Sequence, residues 1–252
     1  MSKPVVALQL YTVRDFAEKD LPSTLSQIKA MGYDAVELAG TYGLETAAFK
    51  KHLDDAGLEA VSAHVGFTDL GFDEKIDMHK TLGCRLISIP ALPKEFLPDG
   101  ISFDTTKAAL PKIAAKLRAL GMNLAYHNHA YEFETMLDGT FVLDALFDAI
   151  PSDVLLAQID AGWVTAAGQD PARYIQKYAG RCPSVHLKDI VKMGDQFEDR
   201  PVGQGMLDMP AVIKSAIQAG ASILVVELDE AVGMTSLEAA RQSREYLLTL
   251  GY

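Results

Sequence analysis

Residues 117–129 read Leu117-Arg118-Ala119-Leu120-Gly121-Met122-Asn123-Leu124-Ala125-Tyr126-His127-Asn128-His129. The leucines close a stretch of helical period, and Gly121 offers the left-handed backbone that stops a helix. A short apolar run over 123–127 follows and ends on polar side chains. The same order returns along the chain. Met31-Gly32-Tyr33, Ala56-Gly57-Leu58, Leu82-Gly83-Cys84 and Ala219-Gly220-Ala221 each end a helical pattern with glycine and lead into a strand pattern. Recurrence on this scale is a unit repeat.

Working outward, eight strand patterns emerge, at 5–11, 35–38, 60–64, 86–89, 123–127, 155–160, 184–187 and 223–228. Amphipathic stretches at 21–31, 45–56, 75–82, 106–120, 171–178, 209–219 and 236–248 alternate with them. Strands alternating with helices predict βαβ units and a parallel sheet. Eight such units in 252 residues predict one (β/α)8 TIM-barrel domain over residues 1–252. The competing arrangement is a doubly wound open sheet. No Gly-x-Gly-x-x-Gly follows the first strand and no P-loop is present, which counts against it. The Gly/Asp-rich piece 192–205 reads as a loop after the seventh strand, long enough to be functional.

The composition excludes several function classes. The chain is 49% hydrophobic and 23% charged, which excludes a disordered protein. Its net charge is −11, so its long-range field repels phosphate and argues against a nucleic-acid partner. No stretch approaches a membrane span, and residues 5–11 lack the features of a signal peptide. The two cysteines, Cys84 and Cys182, form no disulfide framework and suit a reducing compartment. The expectation is a soluble cytoplasmic protein.

In a barrel, chemistry lives at the C-terminal ends of the strands. Glu37, His64, His127-Asn128-His129, Asp160, His186-Leu187-Lys188-Asp189 and Glu227-Leu228-Asp229-Glu230 all fall there. His52 and His79 fall in helical stretches and are expected at the surface. Singly, each rim residue has a plain structural use. A histidine after a strand is often a hydrogen-bonded structural residue, Asp189 fits a helix N-cap, and Glu37 fits a buried partner for a lysine or arginine. Jointly, His127, Asp160, His186 and Glu227 end four consecutive strand patterns. Charged groups converging on a barrel mouth need compensation, and a divalent cation (Mn, Mg, Zn, Co or Fe) supplies it for a mixed His/carboxylate set.

The chain resembles the xylose isomerase-like TIM-barrel superfamily, the group of sugar phosphate isomerases/epimerases. The resemblance runs through Leu8–Asp15, Gly32–Glu37, Tyr126–Phe133, Asp160–Trp163, Val185–Asp189, Val202–Gly205 and Val226–Asp229, and is most specific at Tyr-His-Asn-His and His-Leu-Lys-Asp. In the ketose 3-epimerases of this group one metal is held by Glu, Asp, His and Glu from strands five to eight. Asp160, His186 and Glu227 match the last three, while His127 stands at the first. The gaps of 33 and 26 residues agree with those epimerases, and the gap of 41 is longer, as the loop 192–205 requires.

The resemblance therefore implies one divalent metal (Mn, Mg, Zn or Co) on His127, Asp160, His186 and Glu227, and a small-molecule sugar substrate. It also allows a homo-oligomer. The implied reaction is isomerisation or epimerisation by proton transfer next to a carbonyl through an enediolate. Glu227 is the expected base. His127, His129, Glu132 or Glu134 is left for the opposite face. The alternative is a metal-dependent lyase or hydratase acting on 3-keto-glycosides, which needs one base only.

Supporting roles are expected for Lys188 (a sugar hydroxyl or an oxyanion, against an ion pair with Asp189 or Glu37) and Trp163 (sugar stacking, against rim packing). Gln9, Tyr11, Glu37, His64 and His129 are expected in the substrate pocket. Arg200 is the expected contact for a phosphate or carboxylate.

Overall fold

The computed structural model describes residues 3–252. Eight parallel strands close into a barrel. They are β1 (Val5–Gln9), β2 (Ala35–Leu38), β3 (Glu59–His64), β4 (Leu86–Ile89), β5 (Asn123–His127), β6 (Leu156–Asp160), β7 (Ser184–Leu187) and β8 (Ile223–Val226). Each strand pairs with the next, and β8 closes on β1 with Val5 opposite Ile223 and Leu8 opposite Val226. The glycines at 32, 57, 83, 121 and 220 all take positive φ, as the repeat requires.

Side chains alternate across each strand, so one face of every strand fills the barrel and the other packs on the helices. The outer layer joins the main hydrophobic core. Inside, Ala7, Ala35, Val61, Ile223 and Val225 form a small apolar cluster. Nearer the rim the interior turns polar, with Gln9, Glu37, Ser62, Gln158 and Ser184 all buried. The histidines and carboxylates of the rim sit on top of that layer.

Several sequence expectations are revised. The piece 192–205 is not irregular throughout: Asp189–Met193 and Gln196–Arg200 pair as an antiparallel hairpin. Asp189 does not cap a helix; its carboxylate accepts the backbone N–H groups of Ile190, Gly203, Gly205 and Leu207 and pins the segment after the hairpin. The helix Val142–Ala149, absent from the expected helices, follows β5 and buries Val142, Leu143, Leu146 and Phe147 along one stripe. The first strand stops at Gln9, and a 3-10 turn over Leu10–Val13 swings Tyr11 out of the sheet. His79 is buried, not superficial, because it lies on the same stripe of its helix as Ile76 and Leu82. His52 is half-buried.

Candidate metal centre and active-site cavity

Asp160 ends β6 and also caps the helix Ala161–Ala166. Its Oδ1 accepts the Trp163 N–H at 2.9 Å. Its backbone N–H is held by Asn128 Oδ1 at 3.0 Å. That fixes the carboxylate and leaves Oδ2 buried without a hydrogen-bond partner among the described residues. His127, at the end of β5, likewise has a buried Nδ1 with no partner among the described residues. His186 on β7 points Nδ1 at Glu227 Oε2, 2.9 Å away, with Asp160 Oδ2 at 4.0 Å. One ligand atom from each of His127, Asp160, His186 and Glu227 lies within 4.8 Å of the others, and all four residues are buried.

A buried carboxylate oxygen and an imidazole nitrogen without partners are costly unless a ligand satisfies them. Two imidazoles and two carboxylates are a donor set suited to a divalent cation. The residues fit such an ion.

The electrostatics sort the four groups. Burial pushes the Asp160 carboxyl up to about 7, despite the Lys188 ammonium. Burial, reinforced by His186 and His64, holds His127 well below the usual imidazole range, so it is neutral. Burial alone would push Glu227 up, but Lys188 and His186 outweigh it and hold Glu227 well below the usual carboxylate range. His186 gains more from Glu37 and Glu227 than burial removes, and is pushed up to about 10.

Beside this cluster opens a cavity of about 430 Å³, with Tyr11, His64, His127, His129, Glu227 and Asp229 as its polar lining. That size suits a small ligand. Tyr11 is 44% exposed, and the Arg14 guanidinium stacks on its ring at 3.9 Å. His129 is pushed down to about 4 by burial and stays neutral.

The other expected site residues are placed away from the cavity wall. Gln9 and Glu37 lie in the polar layer below the rim. Glu132 is fully buried, and its oxygens accept the Tyr126 hydroxyl at 2.7 Å and the His129 N–H at 2.9 Å. Trp163 packs against His129, with ring centroids 5.6 Å apart. Arg200 pairs with Glu198 of its own hairpin at 2.9 Å. Lys188 is fully buried, and its partner is Asp229 at 2.9 Å, not Asp189 or Glu37. Asp229 stood in a strand-end motif without an assigned role. Asp199 had no sequence signal at all; it comes over from the hairpin and accepts the Asp229 and Glu230 N–H groups at 2.5 and 3.1 Å.

Fold and rim together define a (β/α)8 barrel with a cluster of potential cation ligands at its mouth. Residues 25–250 match the family described as xylose isomerase-like TIM barrel, and the chain belongs to that family.

Among curated relatives, the rhizopine catabolism protein MocC of Rhizobium meliloti is 25% identical over 83% of this chain and 75% of its own length. The inosose dehydratase of Geobacillus kaustophilus is 23% identical over 66% of this chain, which spans 61% of that protein. The structure of a sugar phosphate isomerase/epimerase from Parabacteroides distasonis superposes with a TM-score of 0.79 at 24% identity, covering 98% of this chain and 94% of that one.

Proposed function

We propose that the protein is a divalent-metal-dependent lyase of unphosphorylated keto-sugars. It removes a proton next to the carbonyl and expels the oxygen substituent on the following carbon. The observation that carries this reading is the placement of the cavity's carboxylates. Glu227 and Asp229 both follow β8, and the position across the cluster on β5 is His127. One carboxylate base serves an elimination, whereas epimerisation needs an acid/base group on each face of the carbon.

Sequence reading put isomerisation first; the disposition of the carboxylates and the dehydratase among the relatives favour elimination. Isomerisation stands second, supported by His64, which lines the cavity from β3.

His127, Asp160, His186 and Glu227 would hold the cation, which when bound supplies Lewis-acid polarisation of the ketone oxygen and acidifies the neighbouring C–H. Glu227 stays ionised beside Lys188 and accepts that proton. The C–H electron pair forms the new C=C bond as the C–O bond to the next carbon breaks. The protonated Glu227 carboxyl returns its proton to the departing oxygen, so water or an alcohol leaves and the carboxylate is restored. Neutral His129 and the Lys188-anchored Asp229 hydrogen-bond substrate hydroxyls. The exposed Tyr11 ring offers its face to the sugar.

The test is an NMR assay of the Mn-loaded protein against a keto-sugar panel in deuterated water. Loss of the α-proton together with loss of the β-substituent is expected. Deuterium incorporation with the carbon skeleton's oxygens all retained supports isomerisation instead.

A further inference from the structure

Glu37 sits at the end of β2, is fully buried, and does not line the cavity. Five polar groups converge on it. Oε1 meets His186 Nε2 at 2.7 Å, Gln9 Nε2 at 2.8 Å and His64 Nε2 at 3.1 Å. Oε2 accepts the Ser62 hydroxyl at 2.7 Å and Gln158 Nε2 at 2.6 Å. The His64 and His186 rings lie nearly parallel, 4° apart with centroids at 5.2 Å, as two plates hinged on one carboxylate.

We propose that Glu37 is the positioning residue of the cation site: it fixes the tautomer of His186, and thereby the ligand atom that His186 presents. The proposal rests on the cation site described above.

An ionised carboxylate carries lone pairs only, so a ring nitrogen 2.7 Å from it must be an N–H donor. The proton on Nε2 of His186 is therefore fixed, and it is the one that stays when a cation occupies the other nitrogen. Nδ1 faces Glu227 and Asp160 and, 2.9 Å from the ionised Glu227 carboxylate, carries the second ring proton; a cation bound there would take the place of that proton and meet the Nδ1 lone pair. A carboxylate on the far nitrogen of a ligating imidazole both aims the ring and raises its basicity. Ser62, Gln9 and Gln158 in turn hold the Glu37 carboxylate still.

Glutamine at 37 is isosteric but has one acceptor oxygen and an NH2 group, which meets two or more donors head-on. The group that responds is the His186 ring, which loses its fixed tautomer without unfolding the barrel.

The experiment titrates Mn into the chelator-stripped wild type, Glu37→Gln and Glu37→Asp, follows free Mn by electron paramagnetic resonance, and records histidine 15N shifts. Circular dichroism selects the folded variant, and Glu37→Asp keeps the charge if the glutamine variant fails to fold. Expected is an affinity loss of about 10- to 100-fold in the folded variant, with the His186 15N pattern moved away from the Nε2–H tautomer. Unchanged affinity and an unchanged 15N pattern in a folded variant would overturn the role of Glu37. A wild type that binds no Mn overturns the cation site itself, a distinct result.

Discussion

Lys188 Nζ lies 2.9 Å from Asp229 Oδ2, on a side chain that is wholly buried. Glu227 Oε2 is 3.7 Å from the same nitrogen and Asp199 Oδ2 is 3.9 Å away. One ammonium thus serves three carboxylates from two different loops. It ties the hairpin after β7 to the end of β8 and keeps Glu227 ionised.

Replacing Lys188 with methionine leaves Glu227 and Asp199 largely buried, and the half-exposed Asp229 beside them, without their cation. Breaking a buried pair by removing one partner costs about 3–5 kcal/mol. Lys188→Met is expected to lower the denaturation midpoint by a corresponding amount and to reduce turnover. A melt and a turnover rate both equal to wild type would contradict the shared-ammonium account.

Gly162 is what allows Lys188 to lie where it does. A Cβ at 162 would stand 2.7 Å from Lys188 Cγ and 2.9 Å from its Cβ. Overpacking of this kind costs about 1–3 kcal/mol. Gly162→Ala is expected to melt lower than wild type, as read by chemical denaturation. A neutral substitution would mean that the lysine stem moves aside freely.

His79 gives the fold a pH dependence away from the rim. Burial holds its imidazole below the usual range, while the ring donates from Nδ1 to the Lys75 carbonyl at 2.7 Å. The unfolded chain then binds the proton more readily than the folded one. The stability is present above the ordinary imidazole value, about 6.5, and is lost as pH falls below it. Denaturant titrations at acidic and neutral pH should show a smaller acid loss for His79→Leu than for wild type. Equal losses in the two proteins would remove His79 from the account.

The cavity's polar lining contains neither lysine nor arginine, and two of its members are carboxylates. Like-charge juxtaposition costs several kcal/mol, so a phosphorylated sugar is disfavoured. A free keto-sugar is expected to show a kcat/KM at least about tenfold above that of its phosphate ester. A preference for the phosphate would require a cation that the cavity wall does not present.

Much of this was legible in the sequence because two periodicities carry it. Glycine-terminated helices repeat before five of the eight strands, and polar residues close strands whose interiors are apolar. Those patterns place His127, Asp160, His186 and Glu227 at one rim from the sequence alone. What stayed hidden depends on distant partners. Glu37 read as a substrate contact or a partner for a lysine or arginine. It is bonded to His186, 149 residues away, and no local pattern announces that. The hairpin at 189–200 mixes the buried Asp189 and Ile190 with charged, partly exposed residues, and no regular apolar alternation marks its strands. Lys188 was expected to pair within its own strand or with β2. The loop crossing that brings Asp229 and Asp199 to it is a tertiary fact.

The most direct measurement is the metal content of the wild type and of Asp160→Ala after equilibration with Mn and exhaustive dialysis, read by mass spectrometry. The account predicts about one ion per chain in the wild type and a large loss in the variant, because Asp160 Oδ2 is a buried donor without another partner among the described residues. A wild type without bound metal, or a variant that keeps its full share, would contradict it.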